Sequence, residues 1–302
     1  MAFYNLQYCA HCIPNMDDFL TLCRAFGHLD ELVQAGGGNI SVKLDDNYSI
    51  IKSSGVSLCD ITRSSGYSIV NHNDIADSLY AANEPDLTAF TVSGGKPSLE
   101  VYFHSFMKRY VVHLHPTAMM PLLCANDSPG IAYCKPGFDL SKKIRATWDG
   151  STTVLLNNHG VIFTADTMVD ILQVACDVYD GYCQTKYPTL DLFWKLQYEF
   201  KNEFVYKVCR AETAMYLPVL KKYNVKKITP DIALFLYNSI HIQDDFIFIH
   251  APTKRKCLDI LEVLRTYCEC VEECPKALTE MQGAEIIHWP AERRRLTMLP
   301  DA

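Results

Sequence analysis

The spacing of apolar residues along the chain predicts a mixture of helices and strands. Apolar residues between Phe19 and Phe26 recur at helical spacing, which predicts a first helix capped by Asn15. Alternating residues after Gly38 predict a strand over 39–44, and a second strand over 48–52. The same patterns predict further helices over 98–107, 116–126, 139–147 and 168–184, and further strands over 111–115, 153–156 and 161–163.

Beyond about residue 200 the pattern changes and predicts a small appended α/β unit. We expect helices over 203–223 and 253–270, and strands over 230–236 and 246–250. The segment 288–295 combines a tryptophan with three consecutive arginines. It is either an interaction segment or, as we expect, a segment that docks on its own chain or a neighbouring subunit. The chain as a whole is therefore predicted to have an α/β fold.

Composition and charge narrow the class of protein. The chain has 302 residues, of which 49% are hydrophobic and 21% charged, and its mean hydropathy is −0.02. No apolar run approaches the ~18 residues of a membrane span. A net charge of −7 argues against a nucleic-acid partner, because such binding depends on dense Lys/Arg contacts to phosphates. The N-terminus lacks the pattern of a secretory signal, so we predict a cytoplasmic protein whose 13 cysteines are mostly free thiols.

A pair of histidines on one predicted strand indicates part of a metal site. His113 and His115 are two residues apart, so in a strand both side chains project from the same face. A catalytic divalent ion commonly takes three protein ligands, and His159 in the sequence Asn-Asn-His-Gly is the best third candidate. The other histidines lack partners at ligand spacing and are predicted to be structural or exposed: His11, His72, His104, His241, His250 and His288.

Two small-residue loops are candidates for binding an anionic or polar group. Three glycines precede Asn39, and Ser53-Ser54-Gly55 follows a predicted strand. Backbone N–H groups and hydroxyls in such loops can bind phosphate or carboxylate oxygens, although ordinary turns have the same composition.

Glu100 is the candidate carboxylate. We expect it in the first turn of a helix capped by Ser98. An acid there often only complements the helix dipole. The alternative is a carboxylate held beside the metal, where it can take or give a proton.

Five motifs in this order resemble those of the class II aldolase/adducin family, over roughly residues 15 to 200. The resemblance implies a three-layer α/β/α domain around a mostly antiparallel central sheet, usually in homotetramers with active sites between subunits. It places the catalytic domain in residues 1–200 and leaves residues 201–302 as an extension, a lid or an assembly element. The motifs are Gly38-Asn39-Ile40-Ser41, Lys52-Ser53-Ser54-Gly55, Pro97-Ser98-Leu99-Glu100, His113-Leu114-His115 and Asn158-His159-Gly160.

The resemblance also assigns roles to residues. His113, His115 and His159 would bind Zn²⁺, or else Mn²⁺, Co²⁺ or Fe²⁺, and Glu100 would be the acid/base. This chain has Leu99 where the phosphate aldolases usually have a second serine, which weakens the expectation of a phosphorylated substrate. The residues expected to line the phosphate end are Gly38, Asn39, Ser53, Ser54, Gly55 and Ser98.

The leading functional hypothesis is a metal-dependent aldolase that reversibly cleaves a ketose or ketose phosphate through a metal-stabilised enediolate. A sugar-acid decarboxylase or dehydratase and a sugar-phosphate 4-epimerase are alternatives on the same fold. The partner would then be a small sugar or sugar phosphate. A non-catalytic, adducin-like interaction module is a further alternative, but such a module should have lost the metal ligands.

Overall fold

The computed structural model describes residues 13–183, 188–200, 203–223 and 239–271, together with Leu236 and Met281. The chain divides into two compact units, residues 1–190 and 191–302. The elements of the first unit are α1 (Met16–Gly27), β1 (Asn39–Lys43), β2 (Tyr48–Lys52), β3 (Tyr67–Asn71), α2 (His72–Ser78), β4 (Thr91–Gly94), α3 (Val101–Phe106), β5 (Tyr110–Leu114), α4 (Met120–Leu123), α5 (Phe138–Thr147), β6 (Thr153–Leu156), β7 (Gly160–Ala165) and α6 (Met168–Cys183).

Seven strands of the first unit form one sheet in the order β4-β3-β2-β1-β5-β7-β6. Every neighbouring pair is antiparallel. β1 and β5 are adjacent near the middle of the sheet, and their register places Asn39 opposite His113. The glycine loop before β1 and the histidines at the end of β5 therefore lie at the same end of the sheet.

Helices cover both faces of this sheet. On one face α1 packs against β1, and α6 packs against β5 and β7. On the other face α2, α3 and α5 pack together, and their apolar residues meet Ile51, Val111 and Ile162 of the sheet in a buried core. The predicted three-layer α/β/α fold with a mostly antiparallel sheet is therefore confirmed.

Three predictions about helix ends are wrong. Asn15 has a left-handed backbone (φ 56°) and does not cap α1, because its side chain donates to Lys43 O instead. The helix expected from Ser98 starts only at Val101, since Ser98 Oγ accepts from Glu100 N and Ser98 O accepts from Val101 N in a preceding turn. The helix expected over 116–126 is limited to the single turn of α4.

The second unit contains a small antiparallel sheet. α7 (Leu190–Glu199) leads into it, and the remaining elements are β8 (Phe204–Lys207), α8 (Arg210–Tyr223), β9 (Ile240–Gln243), β10 (Phe246–Ala251) and α9 (Lys254–Cys270). The strands lie in the order β8-β10-β9, with both α8 and α9 packed on β10.

The helix expected over 203–223 was wrong in its first part. Phe204, Val205 and Tyr206 are aromatic or β-branched and pair with β10 as a strand. The strand over 246–250 and the helix over 253–270 are observed, the latter with Thr253 as its N-cap. The predicted strand over 230–236 lies almost wholly outside the described residues, and the segment 288–295 lies wholly outside them. Within the described ranges, no helix is long and apolar enough to cross a membrane.

Candidate metal centre

Three histidines meet at one end of the large sheet. His113 and His115 come from the end of β5, and His159 comes from the turn between β6 and β7. Candidate ligand nitrogens of these residues all lie within 4.8 Å of one another. His115 Nε2 is 3.1 Å from His113 Nε2. The structure therefore brings the three sequence-predicted metal ligands together.

Backbone contacts position the three histidines. His113 is fully buried, and its Nδ1 donates to Val161 O at 3.0 Å, which leaves Nε2 with its lone pair facing the other histidines. His115 N donates to Leu32 O at 2.8 Å. His159 follows Asn158, whose left-handed backbone (φ 55°) turns the chain between the strands, a conformation that asparagine tolerates.

Gly160 makes the close approach of these strands possible. A Cβ at this position would clash with the Leu114 carbonyl oxygen and lie 2.9 Å from His115 Cδ2 and 3.1 Å from His113 Cε1. Only glycine therefore leaves room for both β5 histidines beside the β6–β7 turn.

Glu100 faces this cluster from the other side. It is the residue immediately before α3, at the N-terminus of that helix. Its Oε2 lies 3.5 Å from His113 Nε2, and its Oε1 lies 3.3 Å from His159 Nε2. Asn39 Nδ2 donates to Oε2 at 2.7 Å. Glu100 is 6% exposed, so the carboxyl group is held with little access to bulk water.

Burial shifts the pKa values of the three histidines and of Glu100. It lowers the pKa of His113 and His115, and it lowers that of His159 to about 4. The pKa of Glu100 is raised by burial to about 7, although the Asn39 hydrogen bond and the charge of Lys52 act in the opposite direction. The imidazoles are thus neutral near pH 7, which is the form that binds metals.

The cluster has more hydrogen-bond acceptors than donors. Among the described residues, Glu100 Oε1 and His159 Nδ1 are buried without a hydrogen-bond partner. His113 Nε2 lies 3.1 Å from His115 Nε2 and 3.5 Å from Glu100 Oε2, and His159 Nε2 lies 3.3 Å from Glu100 Oε1, so the electron pairs of these groups meet in a common space. A divalent cation satisfies such a set, and three imidazoles with an open position are typical of catalytic zinc-type sites. The residues therefore fit a divalent metal.

A cavity of about 250 Å³ opens in front of the histidines. His115, His159 and Glu100 line one part of it, whereas His113 lies behind them. The predicted substrate residues Gly38, Asn39, Ser54, Gly55 and Ser98 line the other part, together with Gly36, Gly37, Lys52, Leu99 and Pro136. Ser53 is the predicted substrate residue that is not brought to the wall, because its hydroxyl bonds Ser68 Oγ at 2.9 Å.

Lys52 is buried beneath the two small-residue loops. Its Nζ donates to Gly36 O at 2.9 Å and to Val56 O at 2.7 Å, with a longer contact of 3.4 Å to Ser53 O. The ammonium group therefore joins the glycine loop to the loop after β2. Burial lowers the pKa of Lys52, with the charge of Glu100 acting in the opposite direction.

The contacts of one histidine in the site were missed by sequence reasoning. His104, predicted to be structural or exposed, is 2% exposed and bonds both Asn39 and Ser41. The signal was present, because His104 follows Glu100 by four residues and Ser41 follows Asn39 by two, the spacings that place residues on one face of a helix and of a strand. His72, in contrast, is buried against Ser49 at the start of α2.

The first unit is thus an antiparallel α/β/α domain in which three histidines and a buried carboxyl group meet at one end of the sheet. Residues 17–185 of the chain match the family described as Class II Aldolase and Adducin N-terminal domain. Since this match covers more than half of the chain, the protein belongs to the class II aldolase/adducin family, as the sequence motifs predicted.

Individual relatives are distant. A protein of Bacillus subtilis (strain 168) named "Uncharacterized oxidoreductase YuxG" is 32% identical over 24% of this chain, which spans only 13% of that protein. The 3-oxo-tetronate 4-phosphate decarboxylase of Haemophilus influenzae is 26% identical over 45% of this chain and 70% of its own length. The N-terminal class II aldolase domain of a conserved Thermoplasma acidophilum protein is 22% identical with a TM-score of 0.48, covering 66% of this chain and all of that one.

Proposed function

We propose that this protein is a divalent-metal-dependent carbon–carbon lyase that reversibly cleaves a ketose or ketose phosphate by an aldol mechanism. The observation that carries the proposal is the convergence of His113, His115 and His159 on the side of the cavity where the Glu100 carboxyl group lies. Membership of the class II aldolase/adducin family supports it. An adducin-like module without catalysis would not need to retain this set of groups.

The reaction requires charge stabilisation and a proton carrier. A divalent ion held by His113, His115 and His159 would supply a Lewis acid that polarises substrate oxygen atoms next to the bond that breaks. Glu100 would move the proton on carbon when the enediolate forms or is quenched. Burial raises the pKa of Glu100 to about 7, whereas the charge of a bound divalent ion would act in the opposite direction and favour the carboxylate, the form that accepts a proton. Asn39 holds Oε2, which leaves Oε1 for this transfer.

The other half of the cavity would bind the rest of the substrate. Ser54, Gly55 and Ser98 offer hydroxyl and backbone donors, and the glycine loop exposes further backbone. Ser54 N and Ser98 N, however, already donate to Lys96 O and Lys52 O, and Ser98 Oγ accepts from Glu100 N. The Ser54 hydroxyl and the O–H donor of Ser98 therefore face the ligand. Leu99 is 46% exposed on the same wall and offers no donor. This wall supports a small polar substrate, with a phosphate held by few charged groups.

A decarboxylase of a sugar acid is the second candidate. The observation in its favour is the Haemophilus influenzae decarboxylase, 70% of which is covered by the match. Loss of carbon dioxide from a 3-oxo acid and aldol cleavage both leave an electron pair on carbon beside a carbonyl group. The same three histidines and Glu100 would therefore serve either reaction, and the leaving group is what distinguishes them.

Several expectations from the sequence stay predictions. These are zinc as the metal, a homotetramer, a cytoplasmic location, and the assignment of residues 1–200 to catalysis. The role of residues 201–302 as a lid or an assembly element also stays a prediction.

The reaction is tested on full-length protein loaded with Zn²⁺. Dihydroxyacetone phosphate, dihydroxyacetone and pyruvate are each incubated with glycolaldehyde, and carbon–carbon bond formation is followed by NMR. Release of carbon dioxide from a 3-oxo sugar acid phosphate is measured in parallel. We expect the wild type to form an aldol product, and we expect no product when a chelator has removed the metal or when Glu100→Gln replaces the wild type. Carbon dioxide release without any aldol product would overturn the aldolase in favour of the decarboxylase.

A Leu99→Ser variant tests which substrate end meets this wall. If a phosphate lies there, the added hydroxyl should lower KM for dihydroxyacetone phosphate by about threefold to tenfold while leaving that for dihydroxyacetone unchanged. An equal change for both donors would place the phosphate elsewhere.

A further inference from the structure

A line of hydrogen bonds runs through the core from β1 to the candidate acid/base. Ser41 Oγ and His104 Nδ1 are 2.7 Å apart, His104 Nε2 bonds Asn39 Oδ1, and Asn39 Nδ2 donates to Glu100 Oε2 at 2.7 Å. All four side chains are at most 6% exposed. Water therefore competes little for these bonds, and each partner depends on the next for its orientation.

The direction of the bonds follows from the chemistry of the groups. Burial lowers the pKa of His104 to about 3, so the ring is neutral near pH 7 and carries one N–H. With that hydrogen on Nε2, His104 donates to Asn39 Oδ1, and Nδ1 accepts from the Ser41 hydroxyl. A reversed Asn39 amide would set Oδ1 against the Glu100 carboxylate, two acceptors at a separation of 2.7 Å. Asn39 Nδ2 also lies 3.4 Å from Ser98 Oγ, and the His104 N–H adds to these contacts by binding Oδ1 on the other side of the amide, which keeps the Asn39 donor on Glu100.

We propose that His104 is a positioning residue that, through the Asn39 amide, holds the Glu100 carboxyl group with Oε1 free for proton transfer. The inference deepens the proposed function, because it rests on Glu100 being the acid/base. His104 is not part of the cavity wall and reaches it through Asn39, which lines the cavity. Its ring stacks on Phe103 at a centroid distance of 4.7 Å, which fixes the ring plane as well.

The rival explanation is that His104 and Ser41 form only a buried polar pair in the core. The chain contains a matched pair with which to separate the two explanations. His72 Nδ1 lies 2.9 Å from Ser49 Oγ, and His72 is also buried, at 4% exposure. Ser49 belongs to β2, and the backbone N–H of His72 donates to Asn47 O, so these bonds lead away from Glu100.

The test compares His104→Leu, His104→Gln and His72→Leu in the full chain. A glutamine can place its side-chain NH₂ near the position of Nε2, whereas leucine has no donor. The first readout needs no metal or substrate, since it is the solvent-exchange rate of the Asn39 side-chain NH₂ protons by NMR, assigned with Asn39→Asp. We expect faster exchange by at least about tenfold in His104→Leu, near-wild-type exchange in His104→Gln, and no change in His72→Leu.

The second readout is solvent deuterium incorporation into dihydroxyacetone phosphate by the Zn²⁺-loaded proteins, without an aldehyde. His104→Leu should keep its metal and its KM while kcat for exchange falls by about tenfold to a hundredfold, and His104→Gln should restore most of kcat. An equal loss of kcat in His72→Leu, or unchanged NH₂ exchange in His104→Leu, would overturn the positioning role. Absence of deuterium incorporation by the wild type would instead contradict the proposed function, while the NMR readout still decides the role of His104.

Discussion

The buried, neutral state of His104 makes the stability of the large sheet depend on pH in a predictable way. We consider the replacement His104→Gln, which keeps a donor near Nε2 but cannot take up a proton in this range. The wild type differs because its unfolded chain can protonate His104 at an ordinary pKa of about 6.5. In the folded protein burial lowers that pKa to about 3, so the folded state takes up this proton only in strong acid.

The sign and size follow from linkage. A proton that binds the unfolded state more tightly stabilises the unfolded state, so the folded protein loses stability as pH falls below 6.5 and continues to lose it until about 3. With pKa values of about 6.5 unfolded and about 3 folded, the loss between pH 7 and pH 5 is about 2 kcal/mol. Above pH 7 His104 should contribute almost no pH dependence. His104→Gln should lack this contribution at every pH.

Hydrogen exchange of the backbone amides in β1 and β5 measures the relevant free energy directly. Both proteins are kept with a chelator, so that the metal-ligand histidines titrate equally and cancel in the comparison. We expect the opening free energy of the wild type to fall by about 2 kcal/mol more than that of His104→Gln between pH 7 and pH 5. Equal losses in the two proteins would refute the assignment of His104 as a buried neutral ring.

Three further changes test other parts of the structure. Gly160→Ala places a Cβ against the Leu114 carbonyl oxygen. The Zn²⁺ affinity measured by calorimetry should therefore fall at least about tenfold, although every ligand is retained. An unchanged affinity would contradict the packing of the β6–β7 turn. Lys52→Met leaves partly buried carbonyl groups of two loops without their donor, so denaturant unfolding should show a loss of about 1 kcal/mol or more. A neutral result would show that Lys52 does not join the loops. Asn71→Ala removes a side chain that accepts from two backbone N–H groups at the start of α2, so hydrogen-exchange protection of the amides in that helix should fall by about 1 kcal/mol. Unaltered protection would contradict the role of Asn71 as the helix cap.

The parts of the fold that sequence patterns predicted are those in which local spacing and packing agree. The strands 39–43 and 48–52 and the helices 138–147 and 254–270 are observed close to their predicted positions. Element ends were less predictable, because they depend on partners distant in sequence. Asparagine is a residue type that commonly caps helices, yet the Asn15 side chain donates to Lys43 O, 28 residues away. Phe204 to Lys207 become a strand only because β10 is available to pair with them.

The candidate site shows the same distinction. The spacing of His113 and His115 on one strand was sufficient to pair their side chains, and the motif order indicated His159 as the third ligand. The Ser53 hydroxyl could not be placed, because alternation along β2 and the position of Ser68 on the neighbouring strand together decide its partner. For the network through His104 the spacings indicated which residues share a face, but pairing those faces required the contact between α3 and β1 to be known.

The central claim is that His113, His115 and His159 form a divalent-metal site, and metal analysis tests it most directly. The full chain, His113→Ala and the matched control His72→Ala are loaded with Zn²⁺, dialysed together and analysed by plasma mass spectrometry. We predict about one ion per chain for the wild type and for His72→Ala, and a loss in His113→Ala that corresponds to affinity weakened at least about a hundredfold. Equal metal contents in the wild type and His113→Ala would contradict the account.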